Sequence, residues 1–507
     1  MTLLDLWRQT DAIFPELVLA VTLCAIIIID MMTPLSQTKR RAGSIAFAGL
    51  LAAFVVIAMR LENGREVYRS LTFGQMLSHD QLSTFFRLIF LLGAGLTVLF
   101  SMRSRETDGY RQGEYFSLML GSVLGAMLLA ASDNIVMFMI GFETLSICCY
   151  VLAGFSKHDK VSAEAGLKYM IYGAVTSGIM LFGFSYLYGL GGTLSISGAV
   201  TSMATQAAQG QISGWMVFMT LAFILTGIGF KMAMVPFHFW CPDVYQGAPT
   251  PVTAFLAIVS KAAGFAALLR VMLPFFQVTS LGSTLSEMGL PIFFGLLSMA
   301  TMTLGNLVAL RQTDVKRLLA YSSIAHAGYL LMGLTVYNHD SLEAIFFYFF
   351  IYLFMTLGAF WVVVVLVNRL GGADMSRFKG IAYSAPFLFA AMFVFLISLT
   401  GLPPTAGFVG KFMLFKVVMS AGVAHMANGV ITPMAAFYFI FALVGMLNSV
   451  VSLYYYMNIA RIMVFDKPGE TGLNESGFDR ALAGMLAIPV LGLLYFTPVL
   501  DLINITR

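Results

Sequence analysis

Ionisable side chains inside apolar stretches are the residues of this 507-residue sequence best suited to chemistry. They comprise one carboxylate, four lysines and one histidine: Glu143, Lys168, Lys231, Lys261, Lys411 and His326. A charge held away from water is costly, so such residues are functional candidates by default. A lysine in these surroundings can release its proton, whereas an arginine stays charged. The set predicts a proton relay that His326 could assist.

These side chains also have structural interpretations. Glu143 could be a static partner of a cation that joins two helices, and Lys168 could direct its ammonium group towards the aqueous interface. His326 could be a hydrogen-bonded interior histidine. The relay hypothesis requires the groups to lie close together, so it depends on the elements that carry them.

The stretch 227–265 contains two of the lysines and several helix-breaking residues. Between Lys231 and Lys261 these breakers are Pro236, Pro242, Gly247, Pro249 and Pro251. Proline removes a backbone donor and disrupts a helix. We therefore predict a helix that is disrupted at Pro236, a compact turn, and a second helix that buries Lys261.

The composition predicts an all-α polytopic membrane protein. The sequence is 59% hydrophobic and 11% charged, whereas a typical soluble domain has about 25% charged residues. Apolar runs of about 20 residues, long enough to cross a bilayer as a helix, recur along the chain. The fourteen predicted spans are residues 13–32, 43–59, 81–101, 114–131, 133–154, 162–190, 213–237, 249–272, 288–310, 318–336, 341–367, 385–420, 433–464 and 480–500.

The distribution of basic residues predicts the orientation in the membrane. The loops on one side carry 17 lysines and arginines, and those on the other side carry 6. The more basic side is expected to face the cytoplasm. Both termini are therefore predicted to be periplasmic, and the loop 238–248 is predicted to be cytoplasmic.

Other partners are not indicated by the sequence. The basic residues are spread over short loops and form no single patch, so we expect no nucleic-acid partner. The four cysteines show no CxxC spacing, so we expect neither a metal site nor a disulfide framework. The expected environment is the lipid bilayer.

A faint internal repeat is visible. The segment EAGLKYMIYG at 164–173 and the segment EAIFFYFFIY at 343–352 both open a predicted span with Glu-Ala. The span 385–420 contains Pro403-Pro404, and we interpret it as two half-helices that correspond to the broken helix of Lys231. Broken helices at matching places in two halves indicate a repeat-built transporter.

The sequence also resembles a known family. The stretch FKMAMVPFHFWCPDVYQGAPTPVTAFLAIVSKAAGFAALLR is similar to the signature of the N-type membrane subunit of respiratory complex I, the proton-pumping NADH:quinone oxidoreductase. The segments GFETLSICCYVL, EAGLKYMIYGA, DVKRLLAYSSIAHAGYLLMG and GLPPTAGFVGKF extend the resemblance over nearly the whole chain. The length and the number of spans resemble the bacterial form, located in the cytoplasmic (inner) membrane.

The resemblance implies a domain organisation and site roles. It implies about 14 transmembrane helices with two inverted five-helix repeats, each with a broken helix, and segments 1–113, 114–272, 288–464 and 465–507. The pumping glutamate falls on Glu143 and its modulating lysine on Lys168. The lysines of the broken seventh helix, the connecting eighth helix and the exit side fall on Lys231, Lys261 and Lys411.

The resemblance places the redox chemistry in other subunits. It implies that FMN, iron–sulfur clusters and quinone belong to partner subunits and that this chain binds no cofactor or metal. The implied neighbours are the M-type and K/J-type membrane subunits.

Two other functions would account for part of this sequence pattern. A stand-alone Na⁺(K⁺)/H⁺ antiporter, or a related membrane-bound hydrogenase, would share many of these features, but a cation carrier needs a carboxylate-rich site and Glu143 is the single deep carboxylate. A purely structural scaffold would not explain the deep ionisable groups, because such groups are costly to bury in a membrane.

Overall fold

The computed structural model describes residues 11–34, 37–62, 70–72, 76–108, 110–277, 289–336, 338–427, 429–465 and 475–492. This part of the chain is nearly all helical, with one short hairpin of β1 (Ser70–Thr72) and β2 (Leu77–His79). The first helices are α1 Phe14–Met31, α2 Thr38–Glu62, α3 Gln81–Arg103, α4 Gln112–Ala131, α5 Ile135–Ala153, α6 Lys160–Gly191, α7 Ile196–Ala208, α8 Gly214–Met232 and α9 Trp240–Gly247. The next are α10 Thr250–Phe255, α11 Lys261–Gln277, α12 Leu290–Ala309, α13 Val315–Gly333, α14 His339–Leu370, α15 Ile381–Ser384, α16 Pro386–Thr400, α17 Ala406–Ala424, α18 Pro433–Phe465 and α19 Gly477–Gly492.

The described residues contain 12 helices that are long and apolar enough to cross a membrane, with the helical stretch from Thr250 to Phe275 taken as one. The helices α13 and α19, which cover much of the predicted spans 318–336 and 480–500, are not among these 12. The predicted periplasmic termini and the 493–500 part of the last span lie outside the described residues.

The chain divides into two units. Unit 1 comprises Met1–Met232 and Gly247–Met288, and unit 2 comprises Ala233–Gln246 and Gly289–Arg507. Unit 1 contains the consecutive helices α4, α5 and α6, which have 20, 19 and 32 residues. In unit 2 the helices α12, α13 and α14 have the same lengths of 20, 19 and 32 residues. Three consecutive helices of matching lengths therefore occur in the same order in both units.

The same kind of cap starts the corresponding helices. The side chain of Asn134 accepts hydrogen bonds from the first backbone N–H groups of α5, and Asp314 does so at α13. Asp159 caps α6, and Asn338 caps α14. A capping side chain satisfies donors that the first helical turn leaves open, so it fixes where the helix begins.

Equivalent glycines allow equivalent helix contacts. A Cβ atom on Gly125 of α4 would lie 2.5 Å from the backbone nitrogen of Leu145 in α5. A Cβ atom on Gly305 of α12 would lie 2.7 Å from the backbone nitrogen of Ala325 in α13. No real Cβ tolerates such distances, so each helix pair packs backbone against backbone, as small residues permit in membranes.

The two predicted helix breaks are present, one after α8 and one after α16. The helix α8 ends at Met232 and is followed by Ala233, which has a left-handed φ of 57°. The helix α16 ends at Thr400 and is followed by Gly401 with a φ of 84°. A proline stands three residues after each left-handed residue. The prediction that 385–420 is broken is confirmed, although the second piece, α17, has 19 residues and is long enough to cross a membrane.

The prediction of one regular helix over 249–272 was incomplete. The stretch contains a π-helical turn at Leu256–Ser260, immediately before Lys261. A π turn adds a residue to one helical turn and often marks a functional site.

Candidate functional site

Lys231 is completely buried in the second-last position of α8. Its Nζ lies 3.0 Å from Oγ of Ser146 on α5 and 3.4 Å from the hydroxyl oxygen of Tyr169 on α6. The ammonium group also lies 5.4 Å from the ring centroid of Tyr169 and 5.7 Å from that of Phe142. The site therefore offers hydroxyl oxygens and ring faces to a cation in place of water.

Glu143 is half-buried on α5, one helical turn before Ser146, whose Oγ lies 3.0 Å from Nζ of Lys231. Lys168 has a different environment. Its Nζ is 2.8 Å from Oε1 of Glu164, one turn earlier on α6, and 39% of its side chain is exposed. Glu143 thus lies one helical turn from a hydroxyl partner of Lys231, whereas Lys168 pairs with a more exposed carboxylate.

Lys261 is buried and stands directly after the π turn. Its helix approaches the end of α8 closely, because a Cβ atom on Gly264 would lie 2.9 Å from Cγ of Met232 and 3.3 Å from the backbone carbon of Lys231. The preceding residue, Ser260, has its Oγ 3.5 Å from the hydroxyl oxygen of Tyr169. Lys231 and the start of α11 therefore share one polar neighbour.

Lys411 is buried on α17. Its Nζ donates to the carbonyl oxygen of Thr400 at 2.8 Å and lies 3.2 Å from Oγ of Ser449. It also lies 4.4 Å from the ring centroid of Tyr329. Lys231 precedes the break after α8 and Lys411 follows the break after α16, so the two lysines lie on opposite sides of similar helix breaks.

His326 is buried between two tyrosines of unit 2. Its Nδ1 is 2.6 Å from the hydroxyl oxygen of Tyr348, and its Nε2 is 3.2 Å from that of Tyr456. The Tyr456 hydroxyl continues to Ser322 Oγ. Both ring nitrogens are therefore hydrogen-bonded, which suits a structural histidine and a proton-conducting one equally well.

The hydroxyl partners were not predicted from the sequence; they are Ser146, Tyr169, Tyr348 and Tyr456. A signal for three of them was present. Ser146 and His326 each stand twelve residues after the cap of their helix, and Tyr169 and Tyr348 each stand ten residues after theirs. Aligning the two halves on their caps would have singled them out.

Unit 1 contains further buried charges at its N-terminal helices. Arg87 on α3, a basic residue inside a predicted span, lies 2.7 Å from Oε1 of Glu16 on α1. Arg270 on α11 lies 2.6 Å from Oδ2 of Asp80, which caps α3, and also donates to the carbonyl oxygen of Ala130. These pairs join α1, α3, α4 and α11 and involve none of the predicted relay residues.

One group of three side chains in the described residues could hold a metal ion. The ligand atoms of His339, Asp340 and Glu343, at the start of α14, lie within 4.8 Å of one another. His339 and Asp340 are exposed. Acidic residues in the first turn also stabilise a helix by opposing its dipole, so this group needs no ion to explain it.

Known proteins are similar to this chain in sequence and in structure. The family model described as NADH:quinone oxidoreductase/Mrp antiporter, TM, matches residues 132–437. NADH-quinone oxidoreductase subunit N 2 of Sorangium cellulosum is 42% identical, over 96% of this chain and 95% of that protein. A chain of respiratory complex I from Thermus thermophilus is similar with a TM-score of 0.75 and 30% identity, over 96% of this chain and 98% of that chain. A chain of the Mrp complex from Dietzia has a TM-score of 0.80 at 18% identity, over 98% of this chain and 96% of that chain, and so shares the fold.

Proposed function

Because this chain belongs to the NADH:quinone oxidoreductase/Mrp antiporter family and is related over nearly its whole length to NADH-quinone oxidoreductase subunit N, we propose that it is the proton-translocating N-type membrane subunit of a complex I. It moves protons through buried side chains while quinone is reduced elsewhere in the complex. One observation carries this proposal: Lys231 and Lys411 are both buried beside a helix break and both contact hydroxyl groups.

The relay is proposed to run from the cytoplasm to Lys231 and Lys261, then laterally, and to leave through Lys411. Lysines are suited to this role because an ammonium group that is removed from water can release its proton. Glu143 tunes the charge of Lys231 from the neighbouring helix, Lys168 acts at the edge of this group, and His326 assists in unit 2. Segments 114–272 and 288–464 are proposed as the two repeats, flanked by 1–113 and 465–507.

The redox components of the complex are proposed to lie in partner subunits. FMN, iron–sulfur clusters and quinone are assigned to them, and M-type and K/J-type subunits are the expected neighbours in the membrane. The chain is expected in the bacterial inner membrane with both termini periplasmic, which follows from the greater number of basic residues in the loops on the other side.

The test exploits the difference between lysine and arginine. The assembled complex with Lys231→Arg keeps the charge but loses an accessible deprotonation step. If Lys231 relays protons, proton pumping in proteoliposomes should fall nearly as far with Lys231→Arg as with Lys231→Ala. Lys379→Arg, outside the spans, is the matched control and should pump normally. Normal pumping by Lys231→Arg would show a static counter-charge instead.

The antiporter alternative makes a different prediction. A stand-alone carrier exchanges Na⁺ or K⁺ for protons without electron transfer. A cation gradient alone would therefore change the pH inside proteoliposomes. The complex I subunit should require NADH and quinone. Co-purification of flavin and iron–sulfur absorbance with the tagged chain from its native membrane also supports the complex I assignment.

A further inference from the structure

The hydroxyl group of Tyr169 on α6 lies near the end of α8 and near the π turn that precedes α11. Its oxygen is 3.4 Å from Nζ of Lys231 and 3.5 Å from Oγ of Ser260, the residue that precedes Lys261. We propose that Tyr169 is a proton-transfer bridge between Lys231 and the start of α11. This proposal rests on the relay function proposed above and adds Tyr169 and Ser260 to it.

The apolar surroundings of Tyr169 would accommodate a phenylalanine. The side chain is fully buried, and its ring packs edge-on against Tyr150 with a centroid distance of 4.8 Å and near Phe230 at 5.6 Å. A buried hydroxyl costs free energy unless it is hydrogen-bonded, so packing alone favours phenylalanine. The hydroxyl therefore has a role beyond filling space.

The repeat supplies an independent observation. Tyr348 occupies the same position of α14 as Tyr169 does of α6, ten residues after the cap. Its hydroxyl bonds to His326, and His326 occupies the position of Ser146 in the other unit. In both units, then, this tyrosine contacts a protonatable nitrogen, although the nitrogen belongs to a different element. A tyrosine retained for packing would not need a nitrogen partner in both places.

The distances indicate how the bridge operates. A usual hydroxyl hydrogen bond is about 2.8 Å long, and the Tyr169 oxygen lies somewhat farther than this from Lys231, at 3.4 Å, and from Ser260, at 3.5 Å. Lys231 lies closer to Ser146, at 3.0 Å. A small movement of the ammonium group from Ser146 towards Tyr169 would close the bridge, so Ser146 acts as the resting partner.

The transfer balances without a charged tyrosine. The Tyr169 O–H bond breaks as its proton joins the neutral amine of Lys231. A new O–H bond forms on Tyr169 with the proton of Ser260. Ser260 regains a proton from the ammonium group of Lys261, a step that requires the Lys261 side chain to fold back towards the residue that precedes it. One proton has then passed from Lys261 to Lys231, and both hydroxyls are unchanged. Transfer in the other direction reverses each step.

The first test compares Tyr169→Phe with Tyr172→Phe in the assembled complex. Tyr172 lies on the same helix, and 45% of it is exposed, so the control removes the same hydroxyl from the surface. A proton-transfer group typically contributes about 100-fold or more to a rate. Tyr169→Phe should lower NADH-driven proton pumping and coupled quinone reduction by at least about tenfold relative to Tyr172→Phe. A smaller loss overturns the bridge.

A second measurement separates proton transfer from a structural hydrogen bond. Difluorotyrosine at position 169 keeps the ring and the hydroxyl but makes the hydroxyl more acidic. A bridge should then pump with a shifted pH profile, whereas a purely structural hydroxyl should leave the profile in place. An unshifted profile in a complex that is fully assembled overturns the proposal.

Lys231→Ala, measured in parallel, distinguishes a failure of the proposed relay from a failure of the Tyr169 bridge. If Lys231→Ala pumps normally, the proposed relay function itself fails. If Lys231→Ala is inactive while Tyr169→Phe is normal, the relay stands and only the bridge fails. Loss of activity in both, with an assembled complex and a normal Tyr172→Phe control, supports both.

Discussion

The ammonium nitrogen of Lys411 lies 2.8 Å from the carbonyl oxygen of Thr400. In a continuous helix this carbonyl would accept from the N–H group of residue 404, but Pro404 has none. The Ser449 hydroxyl lies 2.8 Å from the same oxygen. The break in the chain thus creates an acceptor that holds both Lys411 and Ser449.

Removing the break should therefore release Lys411. We expect the double change Pro403→Ala/Pro404→Ala to restore a helical partner for Thr400 and to slow proton pumping more than it harms assembly. Lys411→Ala should give a similar defect, and combining it with the proline changes should add little, because both act on one path. Pro386→Ala, in the first turn of α16 where a proline costs no helical bond, is the control. Additive defects in pumping would contradict the shared path.

Glu143 should be required for coupling and dispensable for assembly. Glu143→Ala removes the carboxylate that is proposed to tune Lys231, so we expect lower proton pumping and lower coupled quinone reduction in an intact complex. Glu143→Asp keeps the charge on a shorter side chain and should retain part of the activity. Glu114→Ala, which removes an exposed carboxylate from the start of α4, should have little effect. Wild-type pumping by Glu143→Ala would remove Glu143 from the relay.

The backbone contacts between paired helices should be intolerant of a single methyl group. Gly125→Ala and Gly305→Ala each place a Cβ atom within 2.7 Å of a backbone nitrogen in the next helix. Forcing extra volume into a packed interior costs about 1–3 kcal/mol. We expect lower thermal stability of the purified complex for both changes. Gly178→Ala meets nothing within 4 Å and should be neutral or stabilising, since alanine favours a helix.

Replacing Arg87 alone should lower the thermal stability of the complex more than replacing both Arg87 and Glu16 with neutral residues. Arg87→Met leaves the Glu16 carboxylate without its partner in an apolar region, which costs about 3–5 kcal/mol. Adding Glu16→Gln should recover much of this loss. Thermal inactivation of the complex measures both. A double variant that is no more stable than Arg87→Met would show that the lost packing of the arginine chain dominates.

The sequence was sufficient for the long helices, for the helix breaks and for the burial of three candidate lysines. Apolar runs predicted the positions of the long helices, and proline and glycine predicted both breaks, because these residues act through local backbone chemistry. The cost of a buried charge singled out Lys231, Lys261 and Lys411. All three are buried in the structure, as the sequence indicated.

Other features depend on contacts that no local pattern records. The π turn before Lys261 arises in a stretch whose residues also suit an ordinary helix. The local sequence does not distinguish Tyr169 and Tyr348 from the rest of the 20 tyrosines. Their equivalence follows from the helix caps, because each stands ten residues after the cap of its helix. The surroundings of Lys168 were also undetermined, because the exposed face of α6 is set by tertiary packing.

The ten-residue spacing between the cap and the tyrosine of α6 and α14 limits the insertions and deletions that these helices can tolerate during evolution. A single residue inserted between Asp159 and Tyr169 would turn the hydroxyl by about 100° around the helix axis and move it by about 1.5 Å. It would then point away from Lys231, and the same holds between Asn338 and Tyr348. Insertions and deletions should therefore be tolerated in the connecting loops and eliminated from the first ten residues of these two helices. Within those residues, related sequences should differ by substitution alone.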